Sequence, residues 1–384
     1  MRPRLALSFG NFFLCAHYAL MLYITTPFLA TAMSEQYVGM VLSLGAIITL
    51  VAFPFVPRLV RMMGARRLTL WSLALSAVLL LVLALYPAAL IIILAVAFFH
   101  AIAPITAYFL DLLLEAATDS EGQTGQVRTL YITFGNFAYI TGALLVGLLL
   151  GEMTAYAAVL YVAAVSLIPF FLLLLFVRIP DGEPPVFRHI LEVAHCLITD
   201  RDFRAVGIAY GTLQFFFNLV PFFTPLYLAS VLNIPWSELG WVYALTIIPF
   251  IVLEYPAGWI ADHVYGDKEL MAIGFLVMGS ATAAIAFTTA ATPLVAIAVV
   301  LVVTRIGAAI AEAMCETHFF RRVSDRDANT VGVFRMIRPI GALLAPLSAS
   351  LLLIVSNFNI MFFVTGCAII VIGVAASLSI KDIR

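Results

Sequence analysis

Pro54–Leu68 reads PFVPRLVRMMGARRL, and 202 residues later Pro256–Leu270 reads PAGWIADHVYGDKEL. Pro54 matches Pro256, Gly64 matches Gly266, Arg66 matches Lys268 and Leu68 matches Leu270. Upstream, Ser34-Glu35 corresponds to Ser237-Glu238 and Gly39 to Gly240; downstream, Gly-Ala-Leu-Leu recurs at Gly142 and Gly341. Each match is short. Their similar offsets make the chain two halves of one parallel repeat.

The residues around these loops define the medium. Of 384 residues, 64% are apolar and 11% charged, with a mean hydropathy of +1.11. Globular domains run at about 45–50% apolar and about 25% charged. A soluble fold would lack a polar coat, and a disordered chain would need more charge. Net charge −1 without a dense basic run argues against nucleic acid as a partner. Runs such as Leu90–Phe99 (LIIILAVAFF) and Ala296–Val303 (AIAVVLVV) are continuous, without the alternation of a membrane barrel. The expected fold class is therefore an all-α polytopic membrane protein with twelve transmembrane helices in two six-helix pseudo-repeats.

Hydropathy places the spans from Leu5–Thr31 to Ile360–Ile380. Arg2, Arg4 and the later Ala30-Thr31-Ala32 imitate a signal peptide, but the apolar stretch to Met33 exceeds the roughly 7–15 residues of such a segment. The expected domains are residues 1–178, an N-terminal six-helix bundle, a cytoplasmic linker over 179–204, and a C-terminal bundle over 205–384. The linker contains Pro180, Pro184 and Pro185. Of the 20 Lys and Arg, only Arg305 lies mid-span; the rest fall at the chain ends and in or beside connections 2–3, 4–5, 6–7, 8–9 and 10–11. The other connections carry only Glu35, Glu152 and Glu238. By the positive-inside rule both termini are cytoplasmic. Eighteen Arg against two Lys and very short loops point to a compact prokaryotic protein of the inner membrane. Cys15, Cys196, Cys315 and Cys367 form no CxxC pair, so they read as apolar packing residues.

The second-half loop has Gly258, Asp262 four residues later, Gly266, and then Lys268. In the first half Val60 stands in place of the acid, while Gly64, Arg66 and Arg67 remain. This pattern resembles the signature loop of the major facilitator superfamily. The resemblance implies alternating access by two rocking bundles, and no particular substrate. It makes Gly258, Asp262 and Gly266 gating residues, with Gly266 permitting a tight turn. Asp262 is expected to meet Arg128 across the halves when the inner mouth closes.

Charged and polar side chains inside spans are costly and are functional candidates. His17 and Asn218 lie at matching depth in helices 1 and 7, and Tyr210, Gln214 and Asn218 share one face. These residues and Arg305 are the expected solute-binding set. Two readings stand for each. The polar face of helix 7 lines a cavity or bridges neighbouring helices. Arg305 binds an anionic or polar solute group or is held by a buried carboxylate. Glu254 and Glu312 are candidate proton carriers. Asp111 and Glu115, at the end of helix 4, are candidate gate residues with Arg335 and Arg338 as partners.

No Walker motif, GxSxG or HExxH occurs, and neither a cofactor nor a metal is expected. The leading function is a monomeric secondary active transporter of a small organic solute by alternating access, with proton coupling left open. The alternative is a polytopic membrane enzyme acting on a lipid-soluble substrate. Such enzymes need a substantial loop near one interface, which the short connections do not supply.

Overall fold

A computed structural model describes residues 3–117, 124–151, 155–177, 179–181, 199–263, 266–322 and 328–380. Among them, twelve helices are long and apolar enough to cross a bilayer, and no strand is present. They are α1 (Pro3–Ala30), α2 (Glu35–Met63), α3 (Ala65–Leu85), α4 (Ala89–Ala116), α5 (Thr124–Leu150), α6 (Tyr156–Phe176), α7 (Arg201–Val231), α8 (Trp236–His263), α9 (Asp267–Ile285), α10 (Leu294–Arg322), α11 (Ala328–Val355) and α12 (Phe358–Ser379). In hydrocarbon only a helix satisfies every backbone group within its own segment. Large apolar side chains such as Leu90, Phe98, Val299 and Val371 stay exposed, as a lipid-facing surface requires.

Proline explains the irregular turns. At Pro54, α2 tightens into a 3-10 turn over Phe53–Phe55. Ahead of Pro169, α6 breaks at Leu167. After Pro225, the last turn of α7 widens into a π turn over Tyr227–Val231. Each proline removes a backbone donor and crowds the preceding turn.

The chain forms two compact units. One comprises Met1–Pro185 with Leu228–Ala244, and the other Val186–Tyr227 with Leu245–Arg384. In the first, α1 meets α6 where the Phe170 ring covers Gly10, and α5 where Ala19 covers Gly142. The start of α8 belongs here too. Gly147 of α5 and Gly240 of α8 face each other backbone to backbone, and Tyr23 stacks on Tyr243 at 4.9 Å. In the second unit, α9 is pressed between α10 and α12. A Cβ at Gly307 would lie 2.4 Å from the Met278 backbone nitrogen, and one at Gly366 2.4 Å from that of Ala283. Residues without side chains let these helices approach closely and gain dispersion contact, which replaces the missing hydrophobic drive in lipid.

Candidate solute site and signature loops

The polar face of α7 is divided among three surroundings. Tyr210 is buried, stacked on Phe334 at 4.2 Å, and its hydroxyl oxygen accepts a 2.5 Å hydrogen bond from Arg338 Nε. Phe334 stacks in turn on Phe319 at 3.9 Å. Arg338 Nη2 lies 3.6 Å from Glu316 Oε1, an ion pair about half open to its surroundings. Gln214 is buried where α7 crosses α11, its Cβ filling the space beside Gly341. Asn218, half-buried, donates from Nδ2 to the Gln214 carbonyl oxygen of its own helix at 2.8 Å.

Arg305 is 8% exposed, and its guanidinium carbon sits 5.0 Å above the centroid of the Phe216 ring. Phe216 is wholly buried. A guanidinium over an aromatic face gains attraction from the ring quadrupole, and more so when desolvated. Glu312, two turns further along α10, is half-buried and engaged in an interaction. Tyr210, Gln214, Asn218 and Arg305 therefore all lie in the second unit.

His17 lies in the first unit and is fully buried. Its ring packs on Tyr18 at 4.0 Å and edge-on to Phe99 at 5.7 Å, with Nδ1 against the Leu14 carbonyl oxygen. Its Nε2 is buried without a hydrogen-bond partner. Asp111 is half-buried and engaged, whereas Glu115 is exposed. The side chains of Arg128, Glu254, Asp262 and Arg335 lie outside the described ones.

The signature loops differ from expectation in one respect. Gly266 stands in extended backbone, φ −80° and ψ 167°, which any residue can adopt. No glycine-only turn exists at that position. The strained turn belongs to the first half, where Gly64 has φ 81° and ψ 147°. A side chain there would strike Asp181, whose Oδ2 lies 2.8 Å from the Cβ position. Asp181 Oδ1 accepts from the Arg66 backbone N–H at 2.8 Å. The Arg66 side chain donates to the carbonyl oxygens of Leu174 (2.8 Å) and Leu175 (3.1 Å) at the end of α6. Sequence reasoning missed Asp181. Its signal was an acid between Pro180 and Gly182 just after span 6, in the half whose loop lacks one.

Twelve helices long and apolar enough to cross a bilayer, in a chain that repeats, define an integral multi-pass membrane protein. The model of the Major Facilitator Superfamily matches residues 7–235 and 206–384. The chain belongs to that superfamily and is a secondary transporter of a small-molecule solute, not an enzyme. Its fold is shared with solved structures of the nucleoside transporter NupG. A point mutant of NupG superposes with TM-score 0.80 at 15% identity, covering 99% of this chain and 100% of that one. A second NupG structure gives 0.77 at 16% identity, covering 99% of each. No curated protein matches the sequence at a significant level.

Proposed function

We propose that the transported solute is a small organic molecule carrying an anionic or strongly hydrogen-bonding group, and that Arg305 binds it. The observation that carries this reading is the guanidinium of Arg305, a residue 8% exposed, over Phe216. A charge at that depth is costly unless it has a task. The aromatic face fixes the plane of the fork, and a planar fork recognises two acceptors at once. Residues two apart on a helix do not share a face, so Gln214, which packs against α11, and Asn218 stand apart from the Phe216 ring and this reading rests on Arg305. The fold shared with NupG makes nucleosides the first class to assay, alongside small organic anions. Protons drive accumulation in this reading, with Glu312 as the carrier on the same helix. The protein works as a monomer in a prokaryotic inner membrane, with both termini in the cytoplasm.

Reconstitution in liposomes tests this. Accumulation of a nucleoside or organic anion is measured under an imposed inward proton gradient. Arg305→Lys keeps the charge and loses the planar fork, so apparent affinity should fall about tenfold, equivalent to about 1.4 kcal/mol. Unchanged affinity in that variant would assign Arg305 to structure alone.

A further inference from the structure

His318, in the last turns of α10, places Nδ1 3.5 Å from Oδ2 of Asp267, the first residue of α9. The two side chains are 2% and 4% exposed. His318 Nε2 is buried without a hydrogen-bond partner. We propose that this pair is a proton-binding site. A proton taken up by the His318 imidazole turns a neutral contact into a buried ion pair with the Asp267 carboxylate. That pair ties the end of α10 to the start of α9, directly beside the second signature loop.

Three observations support the assignment. First, the fold does not need the pair for adhesion. The α9–α10 seam is closed by Gly274, Gly307 and Ala311, where backbones already touch. Second, the first half builds the same junction without charge. The equivalent positions 202 residues earlier are Ala65, fully buried, and Ala116. Third, Asp267 has an ordinary reason to open a helix, since an acid there complements the helix dipole. A buried imidazole with an idle nitrogen has none, because an unsatisfied buried polar group is a net cost. Imidazole is also the side chain whose ordinary charge change falls in the physiological range.

Other charged groups on the elements packed at this end are few. They are Lys268 and Glu269 on α9, Glu312, Glu316, Arg321 and Arg322 on α10, Arg201, Asp202 and Arg204 at the start of α7, and Arg335 and Arg338 on α11. Glu269 Oε2 is itself buried without a hydrogen-bond partner, and the described helix α12 carries no charged residue. Arg338 is spent on Glu316 and Tyr210. Asp267 is therefore the carboxylate positioned to hold a His318 proton. The site goes beyond the solute reading and needs no solute to be tested.

The test compares thermal unfolding of the purified full-length protein at about pH 5 and about pH 8, the range over which imidazole titrates. The ion pair exists while His318 carries its proton, so its contribution is present at the acidic end and lost as pH rises. His318→Gln and Asp267→Asn should each lower the midpoint at the acidic end by about 2 °C relative to the alkaline end, compared with wild type. Asp267→Ala with His318→Ala copies the first-half junction, so it should fold and match either single variant in pH slope. The remaining histidines are common to all variants and cancel. A pH slope in His318→Gln equal to that of wild type, or independent effects of the two substitutions, would overturn the proposal.

Discussion

At the scale of single residues, charge and backbone strain mark the places where this chain departs from a plain apolar bundle. Gly64 is the strained residue of the first loop, and Asp181 occupies the space a side chain would need. Backbone of this kind costs a non-glycine residue about 1–3 kcal/mol. Gly64→Ala should lower the unfolding midpoint and displace the Asp181 carboxylate from the Arg66 N–H. Gly266→Ala, at φ −80°, carries no such backbone penalty. Equal midpoints for the two variants would refute the asymmetry. Arg305 was legible as a candidate because its burial is expensive in any membrane context. Phe216 was not legible as its partner. The chain has 30 Phe, and nothing local distinguishes a ring beneath a guanidinium from one facing lipid.

At the scale of elements, the spans could be read because an unbroken apolar run has one stable solution in a bilayer. Their ends and irregular turns could not. The π turn after Pro225 and the break before Pro169 depend on which neighbours re-satisfy the freed carbonyl groups. Tyr210, Gln214 and Asn218 recur every fourth residue along α7, yet they meet different surroundings, because α11 crosses at Gly341 and Arg338 reaches Tyr210. Helix crossings carry their own prediction. A Leu at Gly307 would place atoms inside the Met278 backbone, so α9 and α10 must separate. Gly307→Leu should cost about 3 kcal/mol or more and reduce folded yield. Gly258→Ala, where a Cβ meets open space, should be neutral or slightly stabilising. Size-exclusion recovery of the two variants from detergent provides the comparison.

At the scale of the whole molecule, the repeat announces two halves, but the compact units are not cut where the repeat is. Three chain crossings separate them, after Pro185, Tyr227 and Ala244. The allegiance of the short stretch between the last two rests on Gly147, Gly240, Tyr23 and Tyr243. These residues lie far apart in sequence, which is why a local reading could not assign it. A gene divided between residues 179 and 204 would yield two polypeptides, each holding something the other lacks. The second would carry a piece of the first one's core, as a key is cut for a single lock. The two should find each other in the membrane and co-purify through a tag on either one. Replacing Gly240 by Leu in the second polypeptide should abolish that recovery. Undiminished co-purification of the altered pair would show that the stretch from Leu228 to Ala244 is not what joins them.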